Sequence, residues 1–152
     1  MSYQIRILGR GDAGVLGNVA AGVFDRGVDA ARTAEFLADP RHHLAVALDD
    51  DDASRGGGGG RVIVVVGFAS AVHYIHPDKP AEMWINEVAV AAAHRNRGVG
   101  RQLLAALFDR ARALGCGEAW VLTDRTNEPA MRLYAAAGGA AREQVMFAFK
   151  LR

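Results

Sequence analysis

The sequence predicts a mixed α/β fold, in which one sheet holds both parallel and antiparallel strand pairs and is flanked by helices. The predicted elements follow the order β-α-α-β-β-β-α-β-α-β, which is not the strict alternation of an all-parallel sheet. The chain has 152 residues, the length of one ordinary domain, and it shows neither an internal repeat nor a second-domain boundary. We therefore expect a single domain over residues 1–152.

The first part of the chain supplies a strand, two helices and a second strand. Residues 3–8 alternate in polarity, which predicts the first strand. Asp12 is a candidate N-cap for a helix whose apolar residues recur at helical spacing, namely Val15, Leu16, Val19, Ala20 and Val23. A second helix is predicted over residues 29–38, since Pro40 follows it. Residues 43–48 predict the second strand.

A polar segment with five consecutive glycines, Gly56–Gly60, separates the second strand from the third. Such a run sustains neither helix nor strand, so the sequence predicts a flexible connection. A phosphate-binding loop would need Lys-Ser or Lys-Thr after the glycines and a helix beginning there. Neither is present.

The second half begins with a β-branched strand over residues 61–74, a turn over 76–80 and a strand over 82–91. The clearest helix is predicted over residues 99–114, because apolar residues fall four apart and Gly115 can end it. A strand over residues 118–123, a helix over 127–137 and a last strand over 145–151 complete the prediction.

Composition excludes several classes of protein. The net charge is only +1, which argues against a nucleic-acid partner bound by phosphate neutralisation. The single cysteine, Cys116, excludes a disulfide framework, and without a basic neighbour it is a poor candidate for a catalytic thiol. The histidines have no third ligand at metal-binding spacing, so we expect no metal site. No signal peptide or membrane span is predicted, which favours a cytoplasmic protein.

Charge is unevenly distributed along the chain. Residues 1–86 hold 8 basic and 11 acidic residues, whereas residues 87–152 hold 10 basic and 6 acidic ones. This distribution would suit an anionic ligand at the second half and a cationic one at the first. A chance imbalance on a solvated surface is an equal alternative.

One segment predicts an anion site, because a strand runs into a basic, glycine-containing turn that begins an amphipathic helix. The first N–H groups of a helix lack internal partners and carry partial positive charge. Gly98 and Gly100 allow close approach of a diphosphate, and Arg95, Arg97 and Arg101 add charged donors. Taken alone the pattern is weak, since a helix with a tight entry turn would look the same.

The order of motifs resembles the GNAT superfamily of acyl-CoA-dependent N-acyltransferases. The resemblance covers at least residues 84–149 and rests on Glu87-Val88-Ala89-Val90, on Arg95-Asn96-Arg97-Gly98-Val99-Gly100, on Asn127-Glu128-Pro129-Ala130 and on Leu133-Tyr134. It implies acetyl-CoA as cosubstrate. The pantetheine arm of acetyl-CoA would pair with Val88, Ala89 and Val90, and Asn127 would lie near that arm. The diphosphate would be bound by the turn that consists of Arg95, Asn96, Arg97, Gly98, Val99, Gly100 and Arg101.

The candidate catalytic residues are Glu87 and Tyr134. Alternation places Glu87 between Ile85 and Ala89 on one strand face, and such partial removal from water favours a carboxylate that accepts a proton. A solvated or ion-paired glutamate is the alternative. The resemblance implies that Tyr134 protonates the departing thiolate, although a helical tyrosine beside Leu133 is often a core residue.

Two segments also resemble the small aminoglycoside 3-N-acetyltransferases of this superfamily. They are Ile85-x-Glu87-Val88-Ala89-Val90 and Asp124-x-x-Asn127-Glu128-Pro129-Ala130, the second followed by Leu133-Tyr134. That likeness implies acceptor-binding roles for Asp124 and Glu128. His73 and Tyr74 precede the cofactor strand and are further candidates for the acceptor site. Arg125 and Asn127 stand where that family has more acidic residues, and the glycine run has no counterpart in it.

We therefore expect an acetyl-CoA-dependent N-acetyltransferase acting on a small amine, with an aminoglycoside, and hence antibiotic resistance, as one candidate. Another small amine, a polyamine, or a protein or peptide amine is the alternative acceptor. A non-catalytic acyl-CoA-binding module is the alternative function. Such domains often form homodimers, but no residue in the sequence decides the oligomeric state.

Overall fold

The computed structural model describes residues 3–50 and 62–152, so the predicted connection at Gly56–Gly60 lies outside the described residues. The chain divides into two compact units. The first ends at Leu122 and the second is Thr123–Arg152. The first unit contains the sheet, and the second contains one helix.

Five strands form one sheet in sequence order, and the predicted mixture of strand directions is confirmed. Strands β1 to β4 pair antiparallel, whereas β4 and β5 pair parallel. A parallel pair needs a crossover connection, which is a helix between β4 and β5. The strands are β1 (Gln4–Leu8), β2 (His42–Asp49), β3 (Val64–Tyr74), β4 (Glu82–Val90) and β5 (Glu118–Val121).

The α-helices are α1 (Ala30–Ala38), α2 (Val99–Ala113) and α3 (Glu128–Ala136). Helix α1 begins where predicted, because the carboxylate of Asp29 accepts a hydrogen bond from the Arg32 N–H at 2.8 Å. Helix α2 is the crossover, and its apolar face is buried through Leu103, Leu104 and Leu107. The predicted spacing of these side chains is confirmed.

The centre of the sheet is buried along most of its length. All β2 residues after His42 are buried, and so are seven consecutive residues of β3. Burial on both faces explains why these strands are nearly continuous apolar runs instead of alternating ones.

The predicted first helix is wrong. Its segment forms only a short 3₁₀ turn over Ala13–Gly17, after which Val19 bridges to Val65 of β3. The N–H of Ala20 donates to the Val65 carbonyl at 2.9 Å, and residues 21–26 then form turns and bends. Glycines inside the segment cost a helix about 1 kcal/mol each. The apolar residues are still buried, with Val23 only 2% exposed.

The predicted last strand is also wrong, since residues 140–152 contain neither helix nor strand. Apolar residues do recur through this segment, as the prediction assumed. Its large apolar side chains are nevertheless exposed, from 72% at Met146 to 91% at Leu151. A strand requires a hydrogen-bonded neighbour, and the described residues provide none for this segment.

Among the described residues, the helices are all too short or too polar to cross a bilayer.

Candidate active site

Strand β4 contains a bulge at its centre. Glu87 pairs with Ser70 of β3 and Ile85 pairs with Ala71, so Asn86 is an extra residue with no partner of its own. The bulge breaks the alternation that placed Ile85 and Glu87 on one face: Ile85 is 2% exposed, whereas Glu87 is exposed. The expectation of a partly desolvated carboxylate at Glu87 is therefore wrong.

One edge of β4 is open beyond this bulge. The last β4–β5 pair is Ile85 with Val121, yet β4 continues to Val90. In the described part of the chain, no strand pairs with residues 86–90 on that side. The Ala91 N–H donates to Val66 on the β3 side at 2.8 Å, so alternation points the N–H groups of Val88 and Val90 to the open edge.

The turn after β4 is shaped by two left-handed residues, Asn96 (φ 60°) and Gly98 (φ 77°). Gly98 is the N-cap of α2 and offers no side chain to the first-turn N–H groups, and that turn contains no acidic residue. The helical hydrogen bonds begin with Gln102 N–H donating to the Gly98 carbonyl at 3.1 Å. The earlier N–H groups of this 15-residue helix are thus available to an anion.

Three arginines surround this helix start, two of them in the segment 95–98, which we call the arginine turn. Arg95, Arg97 and Arg101 are exposed. The Arg95 side chain donates from Nε to the Val90 carbonyl at 3.0 Å, which ties the turn to the end of β4. Guanidinium groups and uncapped helix N–H groups together suit a diphosphate. These residues therefore fit the phosphate end of CoA.

Gly67 of β3 is a residue that sequence reasoning missed. A Cβ there would lie 3.0 Å from the Ala89 carbonyl and 3.4 Å from the side chains of Val99 and Leu103. The missing side chain lets β3, β4 and the start of α2 approach closely. A glycine inside a β-branched run was the available signal.

An aromatic cluster lies on β3, β4 and β5. The rings of Trp84 and Trp120 stack at 5.2 Å and 13°, and Trp120 Nε1 donates to the Tyr74 hydroxyl at 3.2 Å. Trp84 is 38% exposed. We call Tyr74, Trp84 and Trp120 the aromatic cluster. Through Trp120, the predicted site residue Tyr74 is linked to Trp84 on β4, the strand that also contains Glu87.

His73 is placed differently from Tyr74, because successive strand residues point to opposite faces. Its Nδ1 shares a 2.8 Å hydrogen bond with Nε2 of buried His43 on β2. Burial lowers the pKa of His43 to about 4, assisted by the nearby His73 and Arg110 charges. Burial and Arg110 also lower the pKa of His73. The structure does not bring His73 together with the aromatic cluster.

The other four predicted site residues belong to the unit Thr123–Arg152. Asn127 is the N-cap of α3, and its side-chain oxygen accepts from the Ala130 N–H at 3.3 Å. Asp124 and Glu128 are exposed beside this helix start. Tyr134 is half-buried on α3, and burial raises the pKa of its phenol. A phenol of raised pKa remains protonated at neutral pH, as a proton donor requires.

Two weak candidates from the sequence, a catalytic thiol at Cys116 and a metal site at the histidines, gain no support from the structure. Burial raises the pKa of the Cys116 thiol, which disfavours the reactive thiolate. Within residues 3–50 and 62–152, no group of three or more His, Cys, Asp or Glu side chains is arranged to hold a metal ion.

Known proteins share both sequence and fold with this chain. The L-2,4-diaminobutyric acid acetyltransferase of Virgibacillus pantothenticus is 48% identical over 47 residues, which cover 31% of this chain and 28% of that relative. The chain thus matches less than a third of that curated relative.

Two solved structures match over nearly the whole length. Aminoglycoside acetyltransferase meta-AAC0020, from an uncultured soil metagenomic sample and in complex with trehalose, superposes with a TM-score of 0.79 at 20% identity, covering 99% of this chain and 97% of that one. AAC(6')-Iy, in complex with the bisubstrate analogue CoA-S-monomethyl-acetylneamine, gives 0.76 at 23% identity, covering 99% of both chains. At these identities the likeness confirms the fold.

The family pattern extends across both units. The acetyltransferase (GNAT) family matches residues 21–138, a span that includes the bulged strand, the open edge, the arginine turn and helix α3. This match covers most of the sequence and agrees with the fold of the two solved acetyltransferases. The chain therefore belongs to the acetyltransferase (GNAT) family.

Proposed function

We propose that this chain is an N-acetyltransferase that moves the acetyl group of acetyl-CoA directly to an amine. The observation that carries the proposal is the continuity of the open β4 edge with the uncapped N-terminus of α2. That arrangement offers hydrogen-bond donors along an extended arm and an anion site at its end. Acetyl-CoA has this form, and it supplies an acetyl group activated as a thioester.

The binding residues follow from this placement. The N–H groups of Val88 and Val90 face the open edge and would pair with the pantetheine arm, with Ala89 between them. One of these N–H groups would polarise the thioester carbonyl. The diphosphate would lie on the first turn of α2 among the arginines, held by Arg95, Asn96, Arg97, Gly98, Val99, Gly100 and Arg101. Asn127 belongs to the other unit, and its proposed contact with the arm rests on the family resemblance.

Glu87 and Tyr134 supply the proton transfers. An ammonium acceptor must lose a proton before its nitrogen can attack, and Glu87, exposed on β4, would accept that proton directly or through water. The amine nitrogen then forms a C–N bond to the acetyl carbon while the C–S bond of that carbon breaks. The nitrogen loses a second proton to water, which leaves a neutral amide. Tyr134 would give its proton to the departing thiolate, and burial keeps that phenol protonated.

The acceptor is a small amine, and the aromatic cluster supports this choice. Trp84 lies three residues before Glu87 on the same strand, about 10 Å away along an extended chain. Its exposed ring can stack on the apolar face of a sugar or bind an ammonium group. Asp124, Glu128 and Tyr74 stay as proposed acceptor contacts. His73 is not proposed as one, because its ring points to the opposite face and pairs with His43. An aminoglycoside is favoured because two structural neighbours are aminoglycoside acetyltransferases.

A second acceptor class is favoured by a specific observation. The sequence relative is named for L-2,4-diaminobutyric acid, a small diamine. Such a substrate needs no broad aromatic surface. The two classes therefore differ in how strongly they depend on Trp84.

Acceptor-dependent release of free CoA thiol tests the proposal. Acetyl-CoA is supplied with aminoglycosides, polyamines, diamino acids and short peptides, and release with one class identifies the acceptor. With an aminoglycoside, Trp84→Leu should raise the acceptor KM about tenfold, while Trp84→Phe restores it and neither changes the KM for acetyl-CoA. Binding of CoA without release by any acceptor would support the non-catalytic module instead. No binding of CoA would overturn the proposal.

We infer a cytoplasmic enzyme, because acetyl-CoA is an intracellular metabolite, and a homodimer, because domains of this family often pair. Size-exclusion chromatography with light scattering would distinguish a monomer of 16.2 kDa from a dimer.

A further inference from the structure

A buried polar cluster lies beneath the arginine turn and joins three distant parts of the chain. The Tyr3 hydroxyl hydrogen-bonds to Nδ1 of His94 at 2.9 Å, and their rings meet edge to face at 5.6 Å. The Asp49 carboxylate lies 3.7 Å from the same nitrogen. Tyr3 and Asp49 are only 9% and 6% exposed. We call Tyr3, Asp49 and His94 the buried cluster.

The buried cluster connects directly to the candidate cofactor site. His94 ends the 3₁₀ turn Ala92–His94, so its ring lies directly before the arginine turn. The Arg97 guanidinium donates to the Tyr3 hydroxyl at 3.5 Å. The Tyr3 oxygen can accept from Arg97 and still share a hydrogen bond with Nδ1 of His94, so Tyr3 can link Arg97 to His94.

The location of these partners makes the cluster rigid. Tyr3 immediately precedes β1, Asp49 ends β2, and Gln4 pairs with Leu48, so the two residues lie at one end of the β1–β2 ladder. Buried polar groups are costly unless partnered, which restricts the cluster to one arrangement. Asn96 in this turn holds a left-handed conformation, which Asn tolerates better than most residues with a Cβ but which still favours a turn held by its surroundings.

We propose that Tyr3, Asp49 and His94 are positioning residues that hold the arginine turn, and the Arg97 guanidinium with it, ready for the diphosphate of CoA. This inference rests on the proposed function, because it assumes that CoA binds at the turn. A preorganised site binds its ligand more tightly, since less ordering is needed on binding. The cluster acts through the turn and touches neither acetyl group nor acceptor.

Tyr3→Phe tests the role of the hydroxyl while keeping the ring that packs on His94. The Kd for CoA, measured by calorimetry, should rise about three- to tenfold, as expected for loss of one hydrogen-bonded support. Pantetheine carries the arm without the diphosphate, and its affinity should not change. A general loss of structure would instead weaken the binding of both CoA and pantetheine, or lower the melting temperature without changing the Kd for CoA.

Asp49→Asn provides a second variant that keeps the side-chain volume and should weaken CoA in the same ligand-selective way. Asp12→Asn is the matched control. The Asp12 carboxylate accepts a hydrogen bond from the Gly9 N–H at 2.8 Å and lies outside the cluster. The Asp12→Asn variant should bind CoA with the same affinity as the wild type.

The outcomes separate the two proposals. A wild-type chain that does not bind CoA contradicts the proposed function itself. If the wild type binds CoA and both cluster variants bind it as tightly as the wild type does, only the positioning role is overturned. Equal weakening of CoA and pantetheine also overturns it, because the effect would not be specific to the phosphate end.

Discussion

Ile85 and Val121 are the last paired residues between two parallel strands, and beyond them β4 continues while β5 has ended. The bulge at Asn86 begins at this same point. A bulge increases local twist and bends a strand, which helps β4 turn away from its parallel neighbour. The sheet thus opens where the arm of the proposed cosubstrate would enter.

The open edge makes a residue-specific prediction about amide exchange. Without ligand, the N–H groups of Val88 and Val90 should exchange quickly, whereas those of Ala89 and Ala91 should be protected by β3. Saturating CoA should slow Val88 and Val90 at least tenfold, because a bound arm gives their N–H groups partners. Hydrogen exchange followed by NMR measures this. Equal exchange at all four positions would contradict the assignment of the open edge.

Replacing Glu87 with Gln removes the proposed proton acceptor with little change in volume. We expect kcat to fall about 100-fold or more, with the KM for acetyl-CoA within about twofold of the wild type. Glu118→Gln is a suitable control, because Glu118 is an exposed strand carboxylate on the neighbouring β5. Comparable kcat values for Glu87→Gln and the wild type would remove Glu87 from the mechanism.

The sequence predicts an element correctly where one strong local pattern determines it. The helical spacing of Val99, Leu103 and Leu107 predicted α2, and that helix is confirmed. The anion site that the arginines and glycines before it predict stays a prediction. Both rest on local chemistry. The family resemblance and the mixed sheet are confirmed as well.

Other features depend on contacts between distant residues and could not be predicted. The bulge at Asn86 depends on register with β3, so simple alternation misplaced Glu87. The contact of Tyr3 with His94 spans 91 positions. At the C-terminus, the apolar alternation around Phe147 gave no information about whether a partner strand was present.

Tyr134→Phe tests the proposed proton donor. The phenol pKa is raised by burial, so the hydroxyl remains protonated and able to donate throughout the neutral range. Without it the thiolate must leave unprotonated, and kcat should fall about 100-fold while the Kd for CoA stays within about twofold. Turnover and calorimetry measure the two quantities. Loss of both together would indicate a packing role for the ring instead.

The His43–His73 pair predicts a loss of stability in mild acid. Burial lowers the pKa of His43 from 6.5 to about 4, so the unfolded chain takes up a proton more readily than the folded one. This stability is fully present above pH 6.5 and is lost as the pH falls toward 4. Between pH 7.5 and pH 5 the free energy of unfolding should drop by about 2 kcal/mol through His43.

Urea unfolding at several pH values measures this effect, and His43→Gln should flatten the pH dependence over that range. Gln keeps a hydrogen-bonding group for His73 but does not titrate. His42→Gln is the matched control, because His42 is the exposed neighbour on the same strand and should leave the dependence unchanged. The assignment to His43 fails if the His43→Gln variant loses stability with falling pH as steeply as the wild type does.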